Sequence, residues 1–153
     1  MKPTRLAPLA LLVAAMSCSD AVSPTRKTIT DLESAQQLWH QQNLHTYAYT
    51  IQSSCFCGNV HPRYVFVLND KVAGVLDLQT LAPLDKDLYG GTIEDLFTFV
   101  QNAVDQHAET IRAQYDAAKG FPTSIDYDGA AQIADDEISI RVSDVHPVSP
   151  PSP

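Results

Sequence analysis

Residues 92–118 read TIEDLFTFVQNAVDQHAETIRAQYDAA, and the fold class turns on how far this stretch stays helical. Thr92 is a cap, and Glu94 and Asp95 place negative charge at the positive helix end. Ile93, Leu96, Phe97, Val100, Val104, Ala108 and Ile111 then recur at helical spacing through residue 118. Gly120 supplies a stop, and Pro122 blocks continuation. The spacing predicts one long helix lying across a sheet.

The flanking residues supply that sheet. Tyr47, Tyr49 and Ile51 alternate with smaller or polar residues across 45–53, the period of a strand. A second strand over 63–69 carries Tyr64, Phe66 and Leu68 on one side and Val65 and Val67 on the other. Asn69-Asp70-Lys71 is a tight-turn signal, and a third strand follows over 72–78. Residues 80–91, with Pro83 and Gly90-Gly91, read as a loop. After the long helix, 123–127 and 137–142 read as a closing hairpin, with Ile138, Ile140 and Val142 alternating against Ser139, Arg141 and Ser143. Upstream, a capping-box pattern at Thr30 and Glu33 opens a helix over 30–42. Its apolar face is Leu32, Ala35, Leu38 and Trp39, with Trp39 as a core anchor. The expectation is therefore an α+β domain. Its antiparallel sheet has about five strands, in the order helix, three-strand meander, long helix, closing hairpin, with helices packed on one face.

The N-terminus is built for export. Lys2 and Arg5 precede an apolar run over 6–16, and Ala15-Met16-Ser17 leads into Cys18. Basic start, short apolar stretch and small residues form a bacterial signal peptide. The run falls short of the ~20 residues a bilayer span needs. Cys18 directly after the small residues resembles a lipoprotein signal, in which that cysteine is lipidated and becomes the new N-terminus. Ala15 and Ser17 also suit an ordinary small-x-small cleavage site, so plain secretion is the alternative. The expected organisation is a signal peptide over 1–17, a lipidated tether over 18–29, one domain over 30–146 and a disordered Pro/Ser-rich tail over 147–153. Several acyl tails on Cys18 give stable anchoring to a membrane, with the domain facing periplasm or exterior.

Cleavage removes Lys2 and Arg5, so the basic count falls from 10 to 8 against 18 acids and the formal charge from −8 to −10. Such a chain repels phosphate backbones and anionic lipid surfaces alike, which excludes nucleic acid as a partner. The charge itself is explained by solubility. The expected partner is instead an envelope protein or a small ligand, met as a monomer.

Two residue groups carry possible chemistry. With Cys18 given to lipid, Cys55 and Cys57 are the remaining thiols. In an oxidising envelope close thiols tend to pair. Residues two apart in an ideal strand have Cα atoms about 6.5 Å apart, at the upper end of disulfide range, so a bridge requires a bend. Gly58, Asn59 and Pro62 follow at once and provide one. Reduced thiols are the alternative. A zinc site drawing on His61 and His45 has weak spacing, and the Cys-x-x-Cys of thiol redox catalysts is absent. The second group is acidic: Asp126, Asp128, Asp135, Asp136 and Glu137. Residues 124–135 follow a calcium loop at positions 1, 3, 5 and 12, with Gly129 at position 6, but begin with serine and end in the shorter aspartate. The plainer assignment is a solvated hairpin loop in which Asp135 or Asp136 fixes the turn, with Arg141 or Arg63 as ion-pair partner. The five histidines are dispersed, and no nucleophile elbow or phosphate loop is present. No catalytic residue and no cofactor is assigned; calcium and zinc are the two ions the pattern admits.

Tyr47-x-Tyr49, Ser54-Cys55-Phe56-Cys57, Gly120-Phe121-Pro122-Thr123 and Ile133-Ala134-Asp135-Asp136-Glu137 occur in this order. Together they resemble an uncharacterised family of exported bacterial lipoproteins, known only as a domain of unknown function, across residues 35–146. The resemblance implies an envelope location and a compact domain, and no activity. The fold and address together lead to a lipid-anchored, non-catalytic binding or accessory domain, with a thiol or metal site at Cys55 and Cys57 and a calcium-stabilised hairpin as alternatives. Expressed in a bacterium, Cys18→Ser should move the protein from the membrane to the soluble envelope fraction; retention at the wild-type level would exclude lipid anchoring.

Overall fold

A computed structural model describes residues 24–55, 61–130 and 136–149, of which 24–30 are described for the backbone alone. The first helix, α1, spans Pro24–Gln41. It begins ahead of Thr30, because proline is tolerated in a first turn and the Thr-Arg-Lys-Thr that follows is compatible with a helix. Three strands come next: β1 (Tyr47–Ser54), β2 (Arg63–Leu68) and β3 (Lys71–Asp77). The connection expected as a plain loop holds a two-residue strand, β4 (Pro83–Leu84), and a single helical turn, α2 (Lys86–Tyr89).

The 92–118 stretch divides. Helix α3 covers only Ile93–Asp105, and β5 (Thr110–Tyr115) follows. The N-terminal end is as expected: Thr92 caps it, and the Thr92 and Asp95 side chains and backbone amides bond reciprocally in a capping box. The C-terminal end is a Schellman closure, with Ala108 N–H donating to the Ala103 carbonyl and His107 N–H to that of Val104. His107 takes the left-handed conformation, φ 57°, that glycine usually supplies here. Beyond it Ile111, Ala113 and Tyr115 share one strand face, and the Tyr115 ring stacks on Phe97 of α3 at 6.1 Å.

Strands β6 (Pro122–Asp128) and β7 (Ile138–Pro147) complete a seven-stranded, wholly antiparallel sheet in the order β4-β3-β2-β1-β7-β6-β5. This corrects the expected α+β fold with about five strands and helices packed on one face. The protein is mostly β. The difference comes from β5, hidden in an apparent helix, and from β4, hidden in the 80–91 connection. The meander and the closing pair are present, and β7 runs on to close against β1, which joins the two halves. The 69–71 turn has Asn69 at φ 50° and Asp70 at φ 63°, the pair of left-handed residues a tight hairpin needs.

The inward residues of the strands, among them Tyr47, Tyr49, Val65, Val75, Ile125 and Val142, meet Leu32, Ala35 and Trp39 of α1 and Ile93, Phe97 and Val100 of α3 in one buried cluster. Helices α1 and α3 contact each other, and both reach β5. The Gly-Phe-Pro-Thr motif is structural. Gly120, at φ 85°, lies against the backbone of α1, where an added Cβ would collide with the Ala35 carbonyl and stand 2.7 Å from Trp39 N. Phe121 and Pro122 are buried beside it. Gly120→Ala should therefore destabilise the fold by about 2–4 kcal/mol in urea denaturation, from backbone strain and overlap together. Gly74→Ala, where an added Cβ meets nothing within 4 Å, should stay within about 0.5 kcal/mol of wild type.

Candidate functional site

Two motif segments far apart in sequence meet at one end of the sheet. Ser54 of β1 registers with Ser139 of β7, which registers with Asp126 of β6. Their side chains share the face opposite the core, since Ile51, Ile140 and Ile125 are the buried members of the alternation. Around this row lies a cavity of about 520 Å³, bounded by Ser54, Cys55, Asp126, Asp128, Glu137 and Ser139 with Thr110, Tyr127 and Ile138. That volume is in the range of small-ligand sites.

Asp126 is the organised acid of the group. Ser139 Oγ donates to its Oδ1 at 2.7 Å and Arg141 Nη1 at 2.9 Å. The Ser139 hydrogen bond, and then the Arg141 guanidinium, hold this carboxyl below the usual aspartate value. Arg141 is therefore the cation that pairs with the acidic segment. Asp128, opposite Thr110 on β5, and Glu137 add two further carboxylates to the walls. The lining contains no lysine, arginine or histidine among the described residues, so it presents acceptors and negative charge. Asp136 plays the expected turn-fixing part: its Oδ2 accepts the Ala130 N–H at 3.0 Å.

The first five positions of the calcium-loop pattern, 124–128, lie in regular strand. Ser124, Asp126 and Asp128 belong to β6, which is paired on both sides, so their side chains cannot wrap around an ion as a loop would. Among the described residues no group of three His, Cys, Asp or Glu side chains is placed to hold a metal. Cys18, Cys57 and Asp135 lie outside the described residues. Cys55 is held in a disulfide whose partner is also outside them. His45 stands at the opposite end of β1 from Cys55, with its Nδ1 2.9 Å from Asp70, and His61 Nδ1 is 2.9 Å from Asp77.

Three features have roles that residue type alone did not signal. Asp77 is buried and organises the next turn, its Oδ1 accepting the N–H groups of Gln79 and Thr80. Arg63, expected as a surface partner for the acids, is only 7 % exposed and sits on the core side of β2, donating from Nη2 to Ser53 Oγ at 3.0 Å. Tyr47 and Tyr49 do more than fill the core. Tyr49 Oη donates to the Gly91 carbonyl at 2.6 Å, and Tyr47 Oη accepts the Ile93 N–H at 3.0 Å.

The model of a family of unknown function, DUF6174, matches residues 31–147, which spans every strand described above. The chain belongs to this family. All four motif groups fall within the matched residues, and the Cys-x-Cys and acidic groups are the two that reach the cavity. No curated protein and no solved structure matches the chain.

The folded pKa of Asp126 lies below its unfolded value, so the Ser139–Asp126–Arg141 group stabilises the fold above the ordinary value of 3.8, and this stabilisation is lost as pH falls through the lower folded value. By NMR titration the Asp126 carboxyl should show a midpoint under 3.8. Ser139→Ala and Arg141→Met should each raise that midpoint, because each removes a group that favours the ionised carboxylate.

Proposed function

We propose that the chain is a lipid-anchored, non-catalytic binding domain of the bacterial envelope, and that its ligand enters the cavity at the Cys55 end of the sheet. The observation that carries this is the convergence of Ser54 and Cys55 with Asp126, Asp128 and Glu137 on one space of about 520 Å³. Fold stability explains Asp126, which has partners on its own sheet face. Among the described residues Asp128 and Glu137 have no bond of that kind and remain as acceptors. A ligand matching such walls offers amine or other hydrogen-bond donors on a compact body. Envelope location is supported by the signal pattern over 1–17 and by Cys18. With Cys18 given to lipid, Cys57 is the partner left for Cys55. A bridged cysteine is not a nucleophile, which favours binding over nucleophilic thiol catalysis at this position.

Spermidine and a lysine-containing tripeptide are suitable probes. In two-dimensional NMR each should shift the amides of Thr110, Asp128 and Glu137 in a saturable way. Asp128→Asn with Glu137→Gln should weaken binding by about tenfold, the loss of roughly 1.4 kcal/mol of charge-assisted bonding. Absence of shifts at these amides, or equal affinity in the double variant, would count against this cavity as the site.

A further inference from the structure

The two edges of the sheet are finished differently. On one side β4 is two residues long and begins with Pro83, which has no N–H to offer, so that edge is blunted. On the other side β5 runs six residues without a proline or lysine, and among the described residues it pairs with β6 alone. The Glu109 N–H donates to the Gly129 carbonyl, in line with the β5–β6 register. Bonded and non-bonded pairs alternate along an antiparallel ladder, so Ile111 and Ala113 turn their backbone groups to β6. Thr110 and Arg112 turn theirs outward, and no described residue bonds to the N–H and C=O of Arg112.

This edge borders a groove of about 440 Å³, across which Ser34, Ala35 and Leu38 of α1 face Ala113 and Tyr115 of β5. A strand added beside β5 sets alternate side chains on the α1 side, next to Ile111 and Ala113, and on the open face, next to Arg112. The small side chains of Ser34, Ala35 and Ala113 leave room for a branched apolar residue on the α1 side. Charge selects the occupant. If β5 paired with a second copy of itself over its full length, each Arg112 would stand directly opposite the other, and like charges in that position repel. An acidic side chain there is favoured instead. Asp126, opposite Arg112 on β6, is committed to Ser139 and Arg141. Glu109 and Asp116, just beyond the two strand ends, favour basic residues.

We propose that the β5 edge binds an extended peptide as a further antiparallel strand, with apolar residues on the α1 side, a carboxylate opposite Arg112 and basic residues at its ends. The probe is acetyl-Lys-Thr-Val-Glu-Val-Thr-Lys-amide, whose glutamate falls opposite Arg112 when its valines fall opposite Ile111 and Ala113. In NMR titration it should shift the Arg112 amide saturably and slow its hydrogen exchange about tenfold at saturation. Methylating the glutamate nitrogen, which would donate to the Arg112 carbonyl, should weaken binding about tenfold, whereas methylating a valine nitrogen, which points away, should change it less than about twofold. Replacing the probe's glutamate by lysine should weaken it about threefold or more. Arg112→Pro removes an N–H that the ladder does not use, so it should keep the melting temperature within about 5 °C and lose the probe. Absence of a saturable shift, equal binding of the two methylated probes, or an Arg112 amide already protected in the free protein would overturn the proposal. So would a concentration-dependent dimer that the probe dissociates, which gives the edge to a second copy. The methylated probes decide the matter even if Arg112→Pro fails to fold. Thr110 also borders the acidic cavity, so Arg112 is the reporter, and either site can fail alone.

Discussion

The two tyrosines of β1 hold the molecule to one arrangement. β1 is the strand that connects β2 on one side with β7 on the other, so both halves of the sheet are placed by it. From its inward face the Tyr49 and Tyr47 hydroxyls grip Gly91 and Ile93, the entry to α3. Desolvation pushes Tyr47 up to about 12 and Tyr49 higher still, so both remain neutral and able to hold these bonds wherever the protein works. Trp39 meets Tyr47 edge to face at 5.4 Å and brings α1 into the same cluster. Move this strand and the helix entry and the seat of Trp39 move with it.

Much of the sheet could be read from residues with a strict local meaning. Asn69-Asp70 specifies a hairpin because few residues accept a left-handed conformation twice in succession. Thr92 and Asp95 specify a helix start because they satisfy each other's backbone amides. The end of the same helix was not legible. Its left-handed closing residue is His107, where glycine or asparagine is the recognisable signal. Val104, Ala108 and Ile111 then happen to stand four and three apart, which mimics another helical turn. What decides for strand is tertiary: β6 offers a pairing partner, and Phe97 offers Tyr115 a ring to stack on. Local propensity yields to such context.

The acidic cavity was half legible. Cys55 and the acids stand out in the sequence because each type is costly to place without purpose. Their meeting depends on the register Ser54–Ser139–Asp126, which is a property of three strands at once. Arg63 shows the converse. It occupies the inward position of an alternation with Val65 and Val67, so the strand pattern alone pointed its side chain to the core side, while residue type suggested the surface. Period should have outweighed type there, since a one-residue slip would have exposed both valines.

Gly120 has a consequence for the order of assembly. It touches Ala35 and Trp39, which lie on the order of 85 residues earlier in the chain, so the seat of α1 is incomplete until the β5–β6 turn has closed. Contacts of such long sequence separation form late, because the entropy of closing the loop must be met before they return anything. The first helix to be made thus has its seat completed by residues near the far end of the chain.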